Sequence, residues 1–202
     1  MARRCVLRST AGHRNREVSP VSDLKIGVDV PWITSWSEEP QTGVARCPSV
    51  DGQLAISQEI KPGVGEPVYT RAHLFRQRRS VGEMRCPMCG EPTQEDDRWS
   101  RTARPTTAGA LRARGLGPAL PPTMPDSQPL LDCGAIAPMH RACIDLGPAE
   151  RLLPDDKSGR ELRRFPKAWI IMPMWVQGRP PQPQGKSVAV VSFLQLIGVD
   201  GG

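Results

Sequence analysis

Arg85-Cys86-Pro87-Met88-Cys89-Gly90 is the stretch around which this chain is read. Two cysteines separated by two residues turn both sulfurs toward one point. Pro87 and Gly90 favour the tight turn this needs, because proline fixes its own φ and glycine accepts a positive one. Further along, Cys133 and then Met139-His140-Arg141-Ala142-Cys143 supply more donors. Zn²⁺ takes four ligands in a tetrahedron, and structural sites commonly join two such short motifs. The candidate metal ligands are therefore Cys86, Cys89 and Cys143, with either His140 or Cys133 as the fourth. His140 and Cys143 are spaced for one helical turn, which Ile144-Asp145-Leu146 would continue. Cys133 precedes Pro138 and needs its own loop to reach the ion. A knuckle, a hairpin across residues 91–100 with an acidic turn, and a helix carrying the last ligands make a treble-clef-like lobe holding one structural zinc. The competing readings are a surface thiol pair, buried unliganded cysteines and a redox pair. A redox CxxC opens a helix after a strand, and Gly90-Glu91-Pro92 is a poor helix start.

Arg85-Cys86-Pro87-Met88-Cys89-Gly90-Glu91-Pro92, Trp99 and Ala137-Pro138-Met139-His140-Arg141-Ala142-Cys143 together resemble small bacterial zinc-knuckle proteins. Those carry a CxxCG knuckle, a short hairpin with a tryptophan, and a Pro-Pro-x-Cys-x-x-Cys segment. The resemblance covers roughly a third of the chain. His140 stands where that pattern has a cysteine, and the middle segment is longer here. The resemblance implies zinc and carries no activity with it.

The chain has 202 residues, with 22 prolines, 19 glycines and only 4% aromatic side chains. That composition implies an α+β fold of mixed, mainly antiparallel strands with long irregular loops rather than long helices. Residues 23–202 are read as a single domain, of a length that can bury a sizeable core. A net charge of +6 allows an acidic partner without demanding one. Six cysteines, most of them in a metal-like set, fit a reducing cytoplasm better than a disulfide framework. No run reaches the roughly 18 apolar residues of a membrane-spanning helix.

Residues 1–22 read as a disordered basic tail, with no apolar segment of a secretory signal. Residues 24–33 give the clearest strand pattern: Leu24, Ile26, Val28, Val30 and Trp32 alternate with polar residues, glycine and Pro31. Cys47-Pro48 through Asp51-Gly52 is a hairpin signal leading to a strand at Leu54, Ile56 and Ile60. Cys47 reads as a lone buried cysteine and His73 as structural. Residues 100–130 read as a flexible insertion with one short helix-capable piece, 108–114. Residues 168–176 and 187–199 are β-branched-rich and read as a core hairpin. Trp169 and Trp175 share a face there as core residues, and Pro173 is placed to force a bulge.

Residues 67–85 are the most basic ordered-looking stretch. Arg71, Arg76, Arg78, Arg79 and Arg85 stand there against one acid, Glu83, and are the candidate nucleic-acid contacts. Their alternative is a solvated face. A basic stretch entering a CxxC knuckle is also the entry to HNH nucleases, but those need histidines downstream to hold a catalytic metal, and only His140 follows. No nucleophile elbow or phosphate-cradling glycine loop is present, and no small-molecule ligand is implied. The function expected is a non-enzymatic zinc-stabilised binding protein, contacting DNA or RNA. A metal-dependent hydrolase and a protein–protein interaction module are the alternatives.

Overall fold

The computed structural model describes residues 21–152, 161–178 and 187–199. In chain order the strands are β1 (Thr34–Trp36), β2 (Gln41–Arg46), β3 (Leu54–Gln58) and β4 (Pro67–Ala72), followed by helix α1 (Leu74–Gly82). Then come β5 (Trp99–Ser100), β6 (Arg104–Thr107), α2 (Ala108–Ala113), β7 (Pro129–Gly134) and α3 (Arg141–Ile144). β8 (Arg163–Arg164), β9 (Ala168–Gly178) and β10 (Val188–Val199) complete the order. The strands pair mostly antiparallel.

β10 is the axis of the main sheet because Val188–Val199 is apolar on both faces, and from Val190 onward nearly every residue is buried. β9 pairs with it antiparallel along its whole length, from Val188–Gly178 to Val199–Ala168. Its other side is shared between two strands. β3 meets it in parallel at Val191–Ala55, and β7 meets it antiparallel from Leu196 to Val199. β2 flanks β3 and β6 flanks β7. The β2–β3 turn runs as its sequence suggests, with Asp51 and Gly52 both at positive φ. The irregularity expected of Pro173 is carried by the partner strand. Ser192 is the extra residue, between the Val191–Trp175 and Phe193–Met174 pairs.

Between its contacts with β3 and β7, β10 has backbone groups that no strand reaches. Side chains of α1 fill that gap. Gln77 donates to the carbonyls of Leu194 (2.7 Å) and Ala135 (2.9 Å) and accepts from the Leu194 N–H (3.0 Å). Arg78 donates to the carbonyls of Ser192 (2.8 Å) and Ile56 (2.9 Å). A buried backbone polar group must find a partner, so this helix turns its polar side chains inward.

The sheet separates two apolar clusters. Val81 and Met84, at and just beyond the end of α1, pack with Val191, Leu194 and Leu196, and Trp169 and Ile171 lean on that cluster. On the other face Ala108 and Leu111 of α2, with Leu120, pack on Leu130, Met172 and Ile197. A third cluster, Cys86, Met88, Met139, Ile144 and Ala149, belongs to the knuckle lobe.

Four expectations are corrected. Residues 24–33 form turns rather than a strand. The Asp29 carboxylate accepts the Lys25 N–H (2.9 Å), the Asp29 N–H bonds the Lys25 carbonyl (2.7 Å), and Val28 is exposed. An aspartate that offers its own backbone such a turn outcompetes a strand pattern. Residues 100–130 are not a flexible insertion, because Ala108, Leu111 and Leu120 are core residues. Trp175 is 49% exposed, beyond the cluster that Trp169 joins. The acidic turn does not close a hairpin on itself. The chain at 91–93 folds back on 84–86, and Trp99 pairs instead with Met139.

The basic tail falls mostly outside the described residues. Its last two residues are tied down, with Val21 bridging Val64 and the Ser22 N–H bonding the Gly63 carbonyl. No helix among the described residues is long and apolar enough to cross a membrane.

Candidate metal centre

The knuckle is a self-contained turn. The Cys86 N–H bonds the Glu91 carbonyl and the Gly90 N–H bonds the Cys86 carbonyl, both at 2.8 Å. Gly90 sits at φ +83°, and a Cβ there would lie 2.8 Å from the Trp32 ring. Glycine is required on both counts. The segment before β1 docks on the outside of the turn, the Trp32 and Ile33 N–H groups bonding the Met88 and Pro87 carbonyls.

The second donor pair comes from α3. His140 is its N-cap residue and Cys143 lies within it. Asp97, from the acidic turn, accepts the Arg141 N–H at 2.8 Å and so caps the helix from across the lobe. The Trp99–Met139 backbone pair holds the approach to His140.

The structure brings together Cys86, Cys89, His140 and Cys143, whose ligand atoms all lie within 4.8 Å of one another. His140 Nδ1 is 3.4 Å from Cys89 Sγ and 3.8 Å from Cys143 Sγ. Zn–S bonds of about 2.3 Å and Zn–N bonds of about 2.0 Å, set tetrahedrally, place sulfur and nitrogen about 3.5 Å apart. The other ring nitrogen, Nε2, is 3.1 Å from the Pro92 carbonyl oxygen. A carbonyl can only accept, so Nε2 carries the proton and Nδ1 presents its lone pair to the sulfurs. This is the outer hydrogen bond that orients a metal-ligating histidine.

The electrostatics suit a cation. Burial pushes the Cys86 thiol up, while the backbone N–H groups of Cys89, His140 and Met88 favour its thiolate. Burial pushes Cys143 up, and charge on Cys86 or Cys89 would push it further. A bound cation would reverse the penalty on ionising Cys86 and Cys143. The donor set can hold one metal ion.

Cys133 is not part of this set. β7 places it in the main-sheet core with Val81 and Leu196, 2% exposed, and burial pushes its thiol up to about 12. Its thiol is held near Ser100 and its carbonyl accepts from the Thr102 hydroxyl. Cys47 is likewise buried, its sulfur 3.0 Å from the Ser49 hydroxyl. None of the five described cysteines is in a disulfide.

The arginines of residues 67–85 do not form one basic face, which corrects that expectation. Arg76 is 4% exposed and Arg78 2%. Arg76 grips Glu39 through both terminal nitrogens, at 2.8 and 2.7 Å, and donates to the Thr34 carbonyl at 2.6 Å. Arg79 and Arg85 both pair with Glu83, and Arg85 also bonds the Gly90 carbonyl. Those two arginines hold the Glu83 carboxyl down to about 2, Arg79 contributing more. Arg71 alone of the five is exposed and without an ion pair or hydrogen bond among the described residues.

Sequence reasoning missed Glu39, which anchors Arg76, and a cleft of about 760 Å³ between β4, the β6–β7 pair and the 3-10 turn Gly147–Leu152. Arg71, Arg104 and Arg151 line it. Their spacing in the sequence gives no signal that they meet.

By its donors, three cysteines and one histidine, the small lobe could hold one metal ion. Compared with known protein families, with curated proteins and with solved structures, the chain matches none.

Proposed function

We propose that this chain is a non-enzymatic binding protein whose knuckle lobe is fixed by one structural Zn²⁺. The observation that carries this is the closed donor set of Cys86, Cys89, His140 and Cys143. Three sulfurs and a nitrogen within 4.8 Å of one another suit zinc, and four protein ligands leave no position for the water that a catalytic zinc activates. The lobe is read as treble-clef-like, a knuckle followed by a short helix bearing the last donors, in keeping with the resemblance to bacterial zinc-knuckle proteins. The hydrolase alternative is disfavoured. His73 is buried with Nε2 on the Glu59 carbonyl, His140 faces the sulfurs, and no second donor cluster forms among the described residues. The net charge of +6 supports an acidic partner, with nucleic acid the leading class.

Elemental analysis of the purified protein tests the metal, with one zinc per chain expected. Cys86→Ser and His140→Ala should lose or weaken it, while Cys133→Ala should retain it in full. Structural zinc contributes on the order of 10 kcal/mol to a small lobe, so chelation should unfold the knuckle and α3 and leave the β9–β10 pair. Zinc-free protein with an unchanged near-UV spectrum and unfolding midpoint would overturn the proposal.

A further inference from the structure

We infer that the cleft beside the metal lobe binds a nucleotide unit, a phosphate ester carried on a planar body. This rests on the acidic-partner reading above and gives it a place and a chemistry. The volume of about 760 Å³ suits a ligand of that size. The lining has two characters. Arg71, Arg104 and Arg151 are cationic, while Ile33, Ile136 and Leu152 are apolar.

The one acid in the lining is already satisfied. Asp132 pairs with Arg114 (2.9 Å) and accepts from Gln195 (2.9 Å) and the Gly134 N–H (3.0 Å). Asp132 is therefore not free to neutralise Arg71, which has no ion pair or hydrogen bond among the described residues. A phosphate is the natural complement of such a guanidinium.

The planar requirement comes from Tyr69. The Arg151 guanidinium lies over its ring at 4.1 Å. Arg151 is otherwise exposed, with no hydrogen bond or ion pair among the described residues. An arginine plane held this way is a platform on which a base can stack.

The platform is built by the metal lobe. Arg151 and Leu152 end the 3-10 turn that follows α3, and Leu152 packs on the cluster of Cys86, Met88, Ile144 and Ala149. Arg101 reinforces the join through Asp145 and Glu150. Arg71 and Tyr69 belong to β4, in the stretch between its Val68 and Ala72 pairings with β1. Metal in the lobe thus sets where Arg151 stands, so nucleotide affinity depends on zinc through Arg151.

The test is an equilibrium titration of the zinc-loaded protein at low salt with three probes: AMP, a fluorescein-labelled oligothymidine single strand, and a duplex of the same length. Zinc is measured in every sample. Binding of AMP identifies a free nucleotide as the source, and binding of the single strand alone identifies a strand. In either case Arg71→Ala and Arg151→Ala should each weaken it about tenfold, the range of one stacked base or one charge-assisted contact. Both side chains are exposed, so neither variant should lose its fold. Chelation should weaken binding by the parent protein, and should weaken the Arg151→Ala protein by a smaller factor.

Three results would overturn the inference: no binding of any probe, equal binding of duplex and single strand, or affinity unchanged in both variants. A protein that binds AMP through Arg71 and Arg151 but contains no zinc would separate failure of the metal reading from failure of the cleft.

Discussion

Replacing Glu39 with glutamine tests the view that Arg76 is an interior residue. The Glu39 side chain is fully buried and that of Arg76 is 5% exposed. The carboxylate accepts two hydrogen bonds from Arg76, one from the Trp36 N–H (2.8 Å) and one from the Lys61 N–H (3.0 Å). Glutamine keeps the shape, removes the charge and turns an NH₂ group toward a donor. Arg76 is then left buried with an uncompensated charge. Breaking a buried pair this way costs about 3–5 kcal/mol, a large share of the roughly 5–15 kcal/mol that stabilises a domain. For a chain of this size that corresponds to a fall in Tm of roughly 6–20 °C. Urea unfolding followed by circular dichroism measures it. The double variant Glu39→Leu/Arg76→Met should recover much of the loss, because a well-packed apolar pair often matches a buried ionic one. A Glu39→Gln protein within about 1 kcal/mol of the parent, the behaviour of an exposed pair, would refute the reasoning.

Burial, with Arg76 beside it, holds the His73 imidazole below its ordinary value of 6.5, so it is neutral in the folded protein. Its contribution to stability is present above that value and is lost as pH falls below it, when the unfolded chain takes up the proton first. Unfolding midpoints between pH 7 and pH 5 should decline by up to about 1.4 kcal/mol per pH unit; the slope should flatten in His73→Gln, and an unchanged slope would count against the assignment. Gly90→Ala meets both a positive φ and the Trp32 ring. It should destabilise the knuckle by more than the roughly 1 kcal/mol of an unstrained glycine replacement and weaken zinc binding in a competition assay, whereas parent-like affinity would show that the turn relaxes.

Features written in local spacing were legible. The Cys86–Cys89 turn and the His140–Cys143 pair each depend on residues within one turn of each other, so their donors could be named from the chain. The 168–176 and 187–199 runs pair as expected because two long β-branched segments have few other ways to bury both faces. The choice between His140 and Cys133 was not legible. It turned on β7 drawing Cys133 into the core beside Leu196, a contact across the chain. The strand pattern at 24–33 misled because Asp29 closes a turn on Lys25 that apolar alternation does not register.

The sequence by itself narrowed the donors of the candidate metal centre to Cys86, Cys89, Cys143 and one of His140 and Cys133, and indicated the main hairpin, since both follow from residue type and short-range spacing. Only the tertiary structure decided where the arginines went. Residues 74–82 carry the composition of a solvated basic helix, yet Gln77 and Arg78 reach carbonyls on β3 and β10 that no strand covers, and Arg76 meets a carboxylate from the loop after β1. Those acceptors lie far away in the chain. A gap in a sheet exists only once its strands have assembled, and the cost of leaving its buried carbonyls unpaired is what turns a basic surface pattern into the interior of this protein.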